Sequence, residues 1–98
     1  LPSAIPLDSW GTIVRYEERA GFVGAEAVSD RIIVELYPEI VRTLTDAGYS
    51  LLGGDNEGFE AEISFLDRKE RYINIILTGG RCADQVRMRV LIEKRVRP

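Results

Sequence analysis

FEAEISFLDRKERYINIILT, residues 59–78, reads as two strands and the turn between them. Phe59, Ala61, Ile63 and Phe65 alternate with Glu60, Glu62 and Ser64, the period-two pattern of a strand with one buried and one wet face. Asp67 to Glu70 is a polar hairpin connection. From Arg71 to Thr78 the alternation resumes, with Ile73, Ile75 and Leu77 on the buried side and Tyr72, Asn74, Ile76 and Thr78 on the other.

Reading downstream, Gly79 to Asp84 is a loop, and Gln85 to about Val96 is a longer strand. Its Val86, Met88, Val90 and Ile92 oppose Arg87, Arg89, Leu91, Glu93 and Arg95. Upstream, Tyr49 to Leu52 is a short strand that ends at Gly53 and Gly54. Short connections make sequence neighbours antiparallel neighbours in space, so these strands are expected to form a four-stranded antiparallel meander.

A helix is expected from Asp30 to Ala47, where Ile32, Ile33, Leu36, Tyr37, Ile40, Val41, Leu44 and Ala47 form one apolar stripe. Ser29 suits its N-cap and Gly48 its end. Pro38 lies on the polar side and removes one backbone donor, so the helix is either kinked there or divided, with a strand over residues 31–36 as the rival reading. Asp8 and Ser9 signal a first short helix to about Ala20, stopped by Gly21, although Trp10, Thr12, Val14 and Tyr16 also alternate as a strand would. Pro2 and Pro6 make Leu1 to Leu7 an extended lead-in. The fold expected is α+β: a single small domain over residues 1–98, with one or two helices packed on one face of a four-stranded antiparallel β-meander.

With 45% apolar residues, 98 residues are enough for one core without metals or disulfides and too few for a second domain. No apolar run approaches the roughly 20 residues that span a bilayer, so the chain is expected to be soluble. It opens at Leu1 rather than Met, as a chain that is processed, trimmed or cut from something longer does, and its compartment is not read from the sequence.

The chain contains no histidine, which removes Ser-His and Cys-His nucleophilic pairs, imidazole metal ligands and the histidine pH switch together. Cys82 is the only cysteine, so neither an internal disulfide nor a multi-cysteine zinc site exists. Carboxylate pairs remain for chemistry, but Glu17 and Glu18 are adjacent and point apart, and Glu60 with Glu62 lie on a flat face rather than in a cleft. The reading leans away from an enzyme, with no catalytic residue, metal or cofactor assigned. Gly21-Phe22-Val23-Gly24 has GxxG spacing without a basic residue, and the Gly53–Gly58 loop carries Asp55, Asn56 and Glu57 without EF-hand spacing.

Charge is uneven along the chain. Residues 1–66 carry four arginines against twelve acids, net −8, while residues 67–98 carry nine basic residues against four acids, net +5. Arg81, Arg87, Arg89, Lys94, Arg95 and Arg97 make a basic stripe, but the net charge of −3, the Glu-lined neighbouring strand and the absence of an aromatic-basic signature disfavour nucleic acid.

The meander would display Glu60 and Glu62 on one strand, Tyr72 and Asn74 on the next, and Arg87 and Arg89 on the last, with acidic and basic rows about 10 Å apart. The function expected is a non-catalytic protein-interaction or accessory domain, binding a protein partner or itself as a homo-oligomer. It would use this charged face or an edge strand, the C-terminal strand offering backbone pairing as well as charge. A plain solvated face is the bland counterpart. The alternative function is a small-molecule-binding domain or small enzyme, with a pocket between helix and sheet near Trp10, Tyr16, Phe22 and Tyr37.

Overall fold

A computed structural model describes residues 1–79 and 85–93. In chain order the elements are α1 (Leu7–Trp10), β1 (Thr12–Arg19), β2 (Phe22–Ser29), α2 (Ile33–Asp46), β3 (Ser50–Asn56), β4 (Glu60–Leu66), β5 (Tyr72–Gly79) and β6 (Val86–Glu93). The strands form one antiparallel sheet in the order β1-β2-β6-β5-β4-β3. This corrects the expected four-stranded meander: β3 to β6 do run as a meander, but the β1–β2 hairpin adds two further strands beyond β6. As a result β6 is paired on both sides, with β2 and with β5, and is no edge strand. The edges are β1 and β3.

The helix expected from Ser9 to Ala20 is the second correction. Only Leu7–Trp10 is helical, and residues 12–19 pair along β2 from Thr12↔Val28 to Arg19↔Phe22. Gly21 adopts φ +78°, so it turns a hairpin instead of ending a helix. Residues 1–7 do not run extended either. Ile5 N–H donates to the Pro2 carbonyl and Ser9 N–H to that of Pro6, both at 2.9 Å, and these tight turns bury Ile5 and Leu7.

Alternation builds the core. Across four strands, Ala25, Val90, Ile75 and Ile63 stand in one register, with Ala27, Met88, Leu77 and Ala61 in another on the same face. α2 covers the β3–β5 half with Ile33, Leu36, Ile40 and Leu44, and Ile5, Leu7 and Trp10 cover the β1–β2 half. Each fully buried aliphatic side chain in that layer contributes about 1.5–3 kcal/mol. Among the described residues, no helix is long and apolar enough to cross a membrane.

α2 starts at Ile33, three residues after the expected Asp30, because Ser29 and the chain before it belong to β2. Ser29 Oγ accepts the Arg31 N–H at 3.1 Å, and the helix proper begins where the Ile32 carbonyl accepts Leu36 N–H at 3.0 Å. Pro38 neither breaks nor divides it. Pro38 is exposed, and the carbonyl it leaves without a donor belongs to Val34, itself 64% exposed and open to water. At the other end Gly48 at φ +92° closes a Schellman turn, with Gly48 N–H on Thr45 O and Tyr49 N–H on Leu44 O, each 3.0 Å.

Candidate functional site

Among the described residues, the helices and the N-terminal turns all lie on one side of the sheet, and none covers the other. On that side the strand registers place Glu60, Thr78 and Arg87 in one row and Glu62, Ile76 and Arg89 in the next. The acidic and basic pairs therefore flank β5, two strand spacings apart, or about 10 Å. Ser64, Asn74 and Leu91 form the third row, and Leu66, Tyr72 and Glu93 the fourth.

Tyr72 and Asn74 sit farther along β5 than the charged rows and are joined through Ser64. Ser64 Oγ donates to Asn74 Oδ1 at 3.3 Å and lies 2.9 Å from Tyr72 Oη. Because the single serine proton is used on Asn74, the tyrosine hydroxyl is the donor in the second bond. The candidate residues thus form two groups on one face, a charged one and a neutral polar one.

Glu26 is the member that the sequence reading missed. From β2 it accepts the Arg87 guanidinium at 3.1 Å and pairs with Arg89 Nε at 3.6 Å. Its alternation with Phe22, Gly24 and Val28 was the available signal, dimmed by the small Ala25 and Ala27 on the opposite face. Phe22 lies over Gly24, where a Cβ would come within 3.1 Å of the ring, and Leu91 is the cross-strand neighbour of that glycine. Half-buried Ile76 stands between Glu62 and Arg89 in the second row, and half-buried Leu91, Leu66, Tyr72 and Phe22 continue the apolar surface along the third and fourth rows, to one side of the charged ones.

The β4–β5 hairpin fixes this registration. Asp67 Oδ1 accepts Lys69 N–H at 2.9 Å and Arg71 N–H at 2.8 Å, while Oδ2 takes Arg71 Nε. Burial pushes the Asp67 carboxyl upward, but the backbone and guanidinium donors of Arg71 and the Lys69 N–H outweigh it and hold the group below the usual carboxylate range. On the helix side, Glu39 is likewise lowered by the two-pronged grip of Arg31, at 2.8 and 3.0 Å, against burial, with the Trp10 indole adding a smaller pull.

A hollow of about 100 Å³ lies among Arg15, Glu17, Gly24, Glu26 and Arg89, and a wider one of about 490 Å³ lies by Gly11, Val14, Val28, Asp30 and Gln85. Trp10, Tyr16, Phe22 and Tyr37 do not meet around a pocket. Trp10 is buried, Tyr37 is half-buried, Tyr16 is exposed on edge strand β1, and Phe22 is on the opposite face of the sheet.

Glu17 and Glu18 face opposite sides of β1, and Glu17 pairs with Arg19. Gly24 lies inside β2, so Gly21 to Gly24 is not a loop. Asp55 and Asn56 lie in β3, where Asn56 Oδ1 accepts Gly58 N–H at 2.9 Å. Among the described residues, no three or more acidic or cysteine side chains gather as a metal site would require. Cys82, Arg81, Lys94, Arg95 and Arg97, and the expected extension of the last strand to Val96, lie outside the described residues. In comparisons with known proteins, no family model matches this chain and no curated protein is similar to it.

Proposed function

We propose that this chain is a non-catalytic protein-interaction domain that binds through the open face of its sheet. The observation that carries the reading is the apolar patch of Leu91, Leu66, Tyr72 and Phe22 on the third and fourth rows, joined through Ile76 to the charged rows, where Glu60 and Glu62 stand on one side of β5 and Arg87 and Arg89 on the other. A face serving only solubility has no use for a cluster of apolar side chains, whereas a binding face sets apolar surface beside charged and polar groups. Glu26 leaves the arginines able to bind further, since each guanidinium has five N–H donors and both side chains are about half exposed, 57% and 51%.

The edges are poorer candidates. Pairing in β1 skips a residue at Val14 and in β3 at Leu52, and such bulges blunt an edge against strand addition. The carboxylates of Glu60 and Glu62 stand on an open face without a cleft, which favours recognition over hydrolysis.

Photo-crosslinking residues at Ser64 and Thr78 on the open face, and at Val34 and Arg42 on the helix side, test this in the cells that make the protein. Protein adducts from the open-face positions are expected. Adducts confined to the helix side would overturn the reading.

A further inference from the structure

Resting on that reading of the open face, we infer that its partner is a second copy of this chain, docked face to face about a two-fold axis that runs along β5. The argument is one of registration. An axis lying between two stacked sheets and parallel to β5 carries β6 of one copy over β4 of the other. Because Glu62, Ile76 and Arg89 share a row, and Glu60, Thr78 and Arg87 share the next, that rotation sets Arg89 over Glu62 and Arg87 over Glu60 of the second copy. Symmetry repeats both pairs, so four opposite-charge meetings form at once.

The competing two-fold, perpendicular to the strands, stacks β6 on β6 and β4 on β4, arginine on arginine and glutamate on glutamate. Charge therefore selects between the two arrangements. Along the favoured axis Ile76 and, two rows on, Tyr72 meet their own copies, while Leu91 comes over Ser64 and Leu66 over Glu93 of the second copy. Stacked sheets lie about 10 Å apart, a gap that opposed Arg and Glu side chains bridge together. The rows next to the axis are also least displaced by the roughly 30° crossing of aligned twisted sheets.

One like-charge approach remains, at the rim. Asp55 ends the row that contains Glu62, and it looks toward Glu26 of the second copy. Arg15, paired across from Glu26 on β1, stands beside that contact. With the axis on β5, β1 overhangs and β2, β6, β5, β4 and β3 overlap, a footprint of roughly 24 by 27 Å, or about 650 Å², a little under the ~800 Å² that each partner contributes to a standard interface.

Light scattering across a concentration series at low and high salt reads the mass directly. A dimer at low salt that loosens at high salt is expected. The pair Arg87→Glu with Arg89→Glu makes the facing charged rows of β4 and β6 wholly acidic, and Glu60→Arg with Glu62→Arg makes them wholly basic. Each variant, checked for native circular dichroism, is expected to be monomeric, and an equimolar mixture of the two is expected to recover a dimer containing one of each.

A wild-type chain that stays monomeric at every concentration overturns the inference without needing any variant. So does a dimer indifferent to both reversals, or a mixture that fails to reassociate. Monomeric mass together with open-face crosslinks to a different protein removes the second copy and keeps the binding face. Crosslinks confined to the helix side remove both.

Discussion

The hydroxyl of Tyr37 on α2 occupies the space that a side chain on Gly54 of β3 would need, so close that a Cβ built there overlaps it. The helix lies against the outermost strand of its half of the sheet through this contact. Gly54→Ala is expected to cost about 1–3 kcal/mol, the usual penalty for forcing an extra carbon into a packed contact. Tyr37→Phe in the same chain should recover at least half of the loss. Gly53→Ala, where nothing lies within 4 Å, should change stability by no more than about 0.5 kcal/mol. Urea unfolding of the four proteins gives the answer, and equal losses at Gly53 and Gly54 would contradict the contact.

Acid should unfold the chain partly through the β4–β5 hairpin. Asp67 is lower in pKa when folded than when unfolded, so its contribution is complete above the ordinary carboxylate range and is lost as pH falls through the folded value. Glu39 adds to the same trend, with the same sign, through Arg31. Asp67→Asn is expected to cost about 2 kcal/mol at neutral pH, because bonds to a charged acceptor are replaced by weaker ones. The variant's stability should also fall less steeply below about pH 4. Parallel curves for the two proteins would rule out Asp67 as a source of the acid sensitivity.

Pro38 leaves the helix continuous but one hydrogen bond short. Pro38→Ala restores a donor for the Val34 carbonyl and relieves crowding in that turn, and the expected gain is about 1 kcal/mol or more. It should appear as a higher urea midpoint at unchanged slope. A loss would mean that the helix is already shaped around the proline.

The sequence was legible where alternation was strong and misleading where caps and small residues dominated. β4 and β5 coincide closely with the alternating runs of residues 59–65 and 71–78, and α2 follows its stripe of Ile33, Leu36, Ile40 and Leu44. β1 was obscured because Asp8 and Ser9 look like helix caps, and they open a helix of only one turn. β2 was obscured because its inward residues are Ala25, Ala27 and Ser29, which carry little hydrophobic signal. They are small on the half of the sheet where Trp10, Leu7 and Ile5 supply the bulk. That omission carried over to the candidate face. Without β2, Arg87 and Arg89 look unpaired, whereas Glu26 stands beside them. The rows themselves could be read, because period two and short hairpins fix which residues share a side.

The position of β6 has a kinetic meaning. The β1–β2 hairpin and the β3–β5 meander are each built from local contacts, and neither touches the other until β6, the last of the six strands in chain order, lies down between them. The Arg87–Glu26 pair spans 61 residues of chain, so the seam closes at the cost of a long loop. Synthesis from the N-terminus must therefore hold two unfinished half-sheets apart, each with an unpaired strand awaiting the same late arrival. Mutations that weaken β6 should slow folding more than equally destabilising changes in β1, and they should prolong the interval in which the two half-sheets are open to association with other nascent chains.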